Sequence, residues 1–341
     1  MAIAAITLAT WPFKESVTVK DKHWSHIAEA GAISGIRFLF AVYRWFGLLP
    51  FTVCLYPVIL YYFLFRKPAR EASLEYLWHM REQGRLQSRR SLFFQSYRHF
   101  INFGESMLDK LAVWQGDISL DALEFHNHEV FDNLVRQGRG CVMLGSHLGN
   151  LEICRALAKR NTNVTFNVLM HTAHAIRFNK MLIRANSEAH VNVIQVSSIS
   201  PATAIVLQQK IEAGEFLVIA GDRSPASGQG NVSEVSFLGE LCCMPQGPFI
   251  LAAILRCPVL TIFCLRREDH GKPFFDLYID HFADRIALPR RGREKALQQT
   301  LQRWADLLAD YCEKAPLQWF NFYSFWYRQS TDSHSEKSAD Q

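Results

Sequence analysis

His147 and Glu152 are the residues whose types and spacing could do chemistry here. An imidazole can take and return a proton near neutral pH. A carboxylate beside it fixes its tautomer and stabilises the imidazolium, and the two together make a general base. The pair is five residues apart. On one continuous helix, five steps of about 100° leave the side chains roughly 140° apart, so they would not face each other. They can meet only if His147 lies in a turn ahead of the helix. Gly145 and Gly149 supply the backbone freedom for such a turn. The apolar run Cys141-Val142-Met143-Leu144 predicts a buried strand leading into it. Leu151, Ile153, Cys154 and Leu157 predict a helix leading out, with Asn150 as its N-cap and Glu152 in its first turn, where the helix dipole favours negative charge.

The elements around this stretch alternate. Val164 to Met170, Val191 to Val196 and Phe216 to Ala220 predict strands, and Ile176 to Asn186 and Pro201 to Ala213 predict helices. Val232 to Leu238, Val259 to Leu265 and Phe274 to Ile279 predict further strands. Phe249 to Leu255 and Leu297 to Tyr311 predict helices, and so does Leu120 to Gln137. Such alternation predicts an α/β fold with a mostly parallel central sheet flanked by helices. Ligands in these sheets bind at the carboxyl ends of strands, where both His147 and Asp222-Arg223 fall. Ser224 to Asn231, rich in Gly, Ser and Pro, predicts a loop over that end.

Residues 33 to 65 are the most hydrophobic part of the chain. Trp45 to Phe65 are 21 residues without a charge, with aromatics at both ends. That is about the length of a bilayer span, although Pro50 and Pro57 also fit a bent interfacial segment. Arg66, Lys67, Arg70, Arg81, Arg85, Arg89, Arg90 and Arg98 follow, as expected beside a cytoplasmic, anionic lipid surface. The expected organisation is an N-terminal arm and membrane-associated hydrophobic helical segment over 1–70, a catalytic domain over 71–328 and a disordered tail over 329–341. The eight cysteines form no C-x2-C pair and several sit in apolar runs, which predicts buried thiols in a reducing compartment. His126/His128 and His171/His174 lack companion ligands, so no metal site is expected. Nothing resembles a cleavable signal peptide, a P-loop, a G-x-G-x-x-G or a nucleic-acid module.

The motif His147-Leu-Gly-Asn-Leu-Glu152 has the His-x4-Asp/Glu form of the lysophospholipid acyltransferase superfamily. It most resembles the bacterial lipid A biosynthesis (late) acyltransferase branch, where Glu is usual. Gly221-Asp222-Arg223, Val235-Ser-Phe-Leu-Gly239 and Pro245-Gln-Gly-Pro248 follow in the order of that family, and the resemblance runs over roughly residues 120 to 328. It implies acyl transfer from a thioester to a lipid or glycolipid hydroxyl, with His147 as base and Glu152 holding its tautomer. It implies no covalent acyl-enzyme; no serine stands in a G-x-S-x-G elbow. The N–H groups of Gly149 and Asn150 would serve an oxyanion, as would Arg223, which could instead bind a phosphate and would be oriented by Asp222. Arg177 aligns with a basic position of the family. No cofactor is implied. The donor is acyl carrier protein or coenzyme A, the former favoured, with Arg85 to Arg98 or Arg285 to Arg293 to steer that acidic partner. The implied location is the cytoplasmic side of the bacterial inner membrane. Two alternatives stay open: a glycerolipid (lysophosphatidate-type) acyltransferase, and a lipid-ester hydrolase using the same pair. The aromatic stretch Trp319 to Tyr327 is assigned to packing or the bilayer interface.

Overall fold

The computed structural model describes residues 48–115, 120–154, 164–170, 191–195, 201–223, 231–269 and 272–326, together with Val42 and Trp45. Its helices and strands follow in order as α1 (Leu48–Phe65), α2 (Lys67–Glu82), α3 (Leu92–Gln115), β1 (Leu123–His126), α4 (Glu129–Arg136), β2 (Cys141–Gly145), β3 (Phe166–Met170), β4 (Val191–Gln195), α5 (Pro201–Glu212), β5 (Phe216–Ala220), β6 (Val232–Phe237), β7 (Glu240–Pro245), α6 (Gly247–Leu255), β8 (Val259–Asp269), β9 (Lys272–Ala283) and α7 (Arg293–Lys314).

Seven strands form one sheet in the order β1-β9-β8-β2-β5-β3-β4. Every neighbouring pair is parallel except β8–β9. This is the expected α/β architecture. β2 is buried along its whole length, because both faces of the sheet are covered. Cys141 and Met143 point into a core with Phe131, Phe166 and Phe216. Val142 and Leu144 point the other way, into a larger core with Trp304 and Trp319. β6 and β7 form a separate hairpin whose turn, Leu238-Gly239, has positive φ at both residues, as a two-residue hairpin requires.

The predicted helix Leu120 to Gln137 is three elements and not one. Leu120–Ala122 is a 3-10 turn, Leu123–His126 is a short edge strand parallel to β9, and only Glu129–Arg136 is α-helical. Asn127, at φ +57°, breaks the chain between the last two. The described part of the predicted helix after His147, Leu151–Cys154, is a 3-10 turn, and residues 155–163 lie outside the described residues. The helix expected at Ile176 to Asn186, with Arg177, lies outside the described residues, as do His171, His174 and residues 224–230 of the expected loop.

The hydrophobic segment is helical over α1. Phe51, Leu55, Ile59 and Phe63 recur every fourth residue and are buried against Phe100 and Leu108 of α3. Burying each such side chain contributes about 1.5–3 kcal/mol. The opposite face is also apolar, with Val53, Leu60, Tyr61, Leu64 and Phe65 exposed, Phe65 to 69%. Phe93 and Phe94 of α3 are exposed too, and Phe93 touches the Phe63 ring. Among the described residues, no helix is long and apolar enough to cross a membrane.

Among the described residues no disulfide forms, and Cys141, Cys242, Cys257, Cys264 and Cys312 are buried. His128 bonds Asp132, and His126 bonds Asp276. Glu124, His126 and Asp276 bring possible ligand atoms together, but Arg267 already bridges the two carboxylates.

Candidate active site

The site follows from the register of two strands. β2 and β5 are parallel neighbours with Gly145 opposite Ala220. The Gly221 N–H donates to Gly145 O at 2.9 Å, carrying the ladder one step further. Two residues beyond each strand, His147 and Asp222 therefore lie side by side. Trp304 of α7 holds this strand end by donating its indole N–H to Gly221 O at 3.0 Å.

Asp222 is fully buried, and both of its oxygens are in use. Oδ1 accepts from His147 Nδ1 at 2.8 Å. Oδ2 accepts the His147 backbone N–H at 2.8 Å and the Trp319 indole N–H at 3.0 Å. A carboxylate only accepts, so Nδ1 carries the ring proton and Nε2 the basic lone pair. The His147 side chain is 35% exposed. Burial pushes its pKa below the ordinary 6.5, and Arg223 adds to this while Asp222 opposes it. Burial alone would raise the Asp222 carboxyl. The charge and hydrogen bonds of His147, with Arg223, outweigh it and hold Asp222 below the usual carboxylate range. At neutral pH the pair is thus a neutral imidazole on an ionised carboxylate.

The carboxylate on His147 Nδ1 is therefore Asp222, where Glu152 was expected. Glu152 is the second residue of the 3-10 turn, with its N–H capped by Asn150 Oδ1 at 3.2 Å, as the N-cap reading anticipated. Its charge acts on Lys110 of α3, a residue the sequence did not single out. Burial lowers the Lys110 pKa; Glu152 opposes this, and Arg223 adds to it. Lys110 in turn lowers the pKa of His147, so two cations, Lys110 and Arg223, act on the imidazole.

The oxyanion donors expected at the turn are engaged within the fold. Gly149 N–H donates to Gln318 O, and Asn150 N–H to Cys264 O, both at 2.9 Å. Gly149 has φ +71°, and Cys264 O lies 1.8 Å from where a Cβ would be, so only glycine fits. Beneath the turn is a cavity of about 20 Å3 lined by Asn150, Asp109, Glu105 and Arg266. Burial pushes the Asp109 carboxyl up to about 7 despite Arg266 Nε at 3.2 Å.

Asp222 was expected to orient Arg223. Asp222 holds His147 by hydrogen bonds and acts on Arg223 through its charge, while Arg223 donates to Phe320 O at 2.6 Å and lies over the Tyr323 ring. Both contacts come from the C-terminal aromatic stretch. That stretch also pairs with the turn itself: Leu148 bridges Trp319, and Phe320 N–H donates to His147 O at 3.0 Å. It is thus a wall of the site, more than general packing. Arg177 lies outside the described residues.

Behind the wall, buried His99 of α3 donates from Nε2 to Trp319 O at 2.9 Å, while its Nδ1 accepts from Ser73 Oγ at 3.0 Å. Ser96 donates to Ser73 at 2.8 Å. Burial lowers the His99 pKa to about 4, so the ring is neutral. A group whose folded pKa lies below its unfolded value stabilises the fold above the unfolded pKa, near 6.5. That contribution is lost as pH falls through the folded value. It amounts to about 3 kcal/mol between pH 7 and 4. Chemical denaturation at both pH values should therefore show wild type losing about 3 kcal/mol more across this window than His99→Gln.

No curated protein matches the chain significantly. A family model described as "Bacterial lipid A biosynthesis acyltransferase" matches residues 85–328. The matched span holds His147, Glu152, Asp222, Arg223 and the aromatic wall. The match covers most of the chain, including the strand ends that carry His147 and Asp222, and the chain belongs to the bacterial lipid A biosynthesis acyltransferases.

Proposed function

We propose that the chain moves a fatty acyl group from an acyl thioester to a hydroxyl of a membrane glycolipid, with His147 as general base. The observation that carries this is the 2.8 Å hydrogen bond between His147 Nδ1 and Asp222, which leaves Nε2 as the proton acceptor. The acceptor hydroxyl gives its proton to Nε2 as its oxygen bonds to the thioester carbonyl carbon. The resulting oxyanion collapses, the C–S bond breaks, and the imidazolium returns the proton to the leaving thiolate. Asp222 stabilises the imidazolium in between. Arg223 and Lys110 supply the positive charge that the oxyanion needs. Glu152 acts through Lys110.

Acyl carrier protein is the proposed donor, steered by the basic segments. Arg85 is already tied to Asp310 and Glu313 at 2.8 and 2.9 Å, which leaves Arg89, Arg90 and Arg98 as the exposed cations of the first segment. The proposed location is the cytoplasmic face of the bacterial inner membrane. The apolar outer face of α1, together with exposed Phe93 and Phe94 on the neighbouring α3 and with Arg66 and Lys67 next along the chain, suits the headgroup–acyl boundary of a bilayer.

Lipid mass spectrometry of cells lacking the gene, complemented with wild type or His147→Ala, tests the reading. Wild type should restore one additional acyl chain on a membrane glycolipid, and His147→Ala should not. Restoration by His147→Ala, or a rise in free fatty acid without an acylated acceptor, would overturn it.

A further inference from the structure

We propose that Trp319 is a positioning residue for the reaction: its indole N–H locks the Asp222 carboxylate, and through it His147, in the reactive orientation. The inference rests on the role proposed above for His147.

Asp222 Oδ2 is fixed by two donors, the His147 backbone N–H and the Trp319 indole N–H. The first belongs to the turn that Asp222 must orient. Trp319 is the donor that comes from outside this pair. It is held at both ends. Its carbonyl accepts from His99, and its ring packs edge-on against Tyr76, Phe237 and Phe325. Trp319 is fully buried, so the indole cannot swing away without opening the core. The backbone of the same residue bridges Leu148 in the His147 turn. One residue thus sets the carboxylate by its side chain and the imidazole's loop by its main chain. Partners that orient a metal-bound histidine typically carry about 10- to 100-fold in activity, and the same order is expected for a partner that orients a general base.

A phenylalanine would fill most of this site and lose only the donor. With that N–H gone, the Asp222 charge is less spread and draws the imidazolium more strongly. The His147 pKa then rises, and the acid limb of kcat/KM moves to higher pH. The other charges facing the ring, Arg223 and Lys110, are unchanged.

The test compares Trp319→Phe and an isosteric 3-benzothienylalanine at position 319 with wild type. Readouts are kcat and KM with a labelled acyl thioester, the pH profile, and the NMR signal of the His147 Nδ1 proton. The expected result is a loss of about 10- to 100-fold in kcat with KM changed less than about twofold. The acid limb should move up, and the Nδ1 proton resonance should change. In an Asp222→Asn background, Trp319→Phe should cost no more than about twofold, because its effect passes through Asp222. Full activity of the isostere, an unmoved acid limb, or a loss that multiplies with Asp222→Asn would overturn the proposal. The proton resonance needs no substrate, so a failed acyl-transfer reading would leave the Trp319–Asp222 lock open to measurement.

Discussion

Exchanging Asp222 for asparagine should lower kcat by about a thousandfold to ten-thousandfold with the fold intact. Three donors converge on the two Asp222 oxygens: the His147 N–H and the Trp319 N–H on Oδ2, and Nδ1–H on Oδ1. Asparagine has one oxygen. That oxygen can satisfy the two donors at the Oδ2 position, which leaves the amide N–H groups facing Nδ1. The ring must then carry its proton on Nε2, and the base is lost. Removing the negative charge also lowers the His147 pKa further, since Asp222 acts to raise it. The wild-type acid limb should lie below pH 6.5, with activity present above it and lost as pH falls through it. In Asp222→Asn the residual activity should show that limb at still lower pH. Steady-state pH profiles check the rate, and 15N NMR of the imidazole checks the tautomer. Glu152→Gln is the control. It should keep the proton on Nδ1, since the bond at that nitrogen comes from Asp222. An inverted tautomer in Glu152→Gln, with a normal one in Asp222→Asn, would return the orienting role to Glu152.

Gly149→Ala should destabilise the protein by roughly 4 kcal/mol or more, in the range reached only by backbone clashes and large core defects. The new Cβ would stand 1.8 Å from Cys264 O, which is main chain of β8 and cannot rotate away. The φ of +71° adds strain for any L side chain. To relieve the clash, the turn must lift from β8 and from the C-terminal wall. That breaks Gly149 N–H to Gln318 O and Asn150 N–H to Cys264 O. Those bonds also locate His147, so activity should fall faster than stability alone implies. Denaturation midpoints and kcat at a temperature where the variant stays folded separate the two losses. Near-wild-type stability would mean that the turn relaxes freely.

Family and fold class were legible in the chain, and so was the turn that carries His147. The apolar run before Gly145, the glycines around His147 and the alternation of strand and helix depend on local chemistry, and local chemistry is written in sequence order. The reading also placed Asp222-Arg223 at a strand end, correctly, but gave Asp222 to Arg223 and Glu152 to His147. Sequence proximity favours Glu152. Strand order favours Asp222, because parallel pairing of β2 with β5 sets residues 75 apart side by side. Nothing local encodes which strands become neighbours; that is settled by how two layers of core close over both faces of the sheet. The same holds for the aromatic stretch at 319–326. Its composition says only that it packs or meets a bilayer interface. Its pairing with the His147 turn, the indole bond to Asp222 and the reach of Lys110 from α3 arise where segments far apart in the chain are packed against one another.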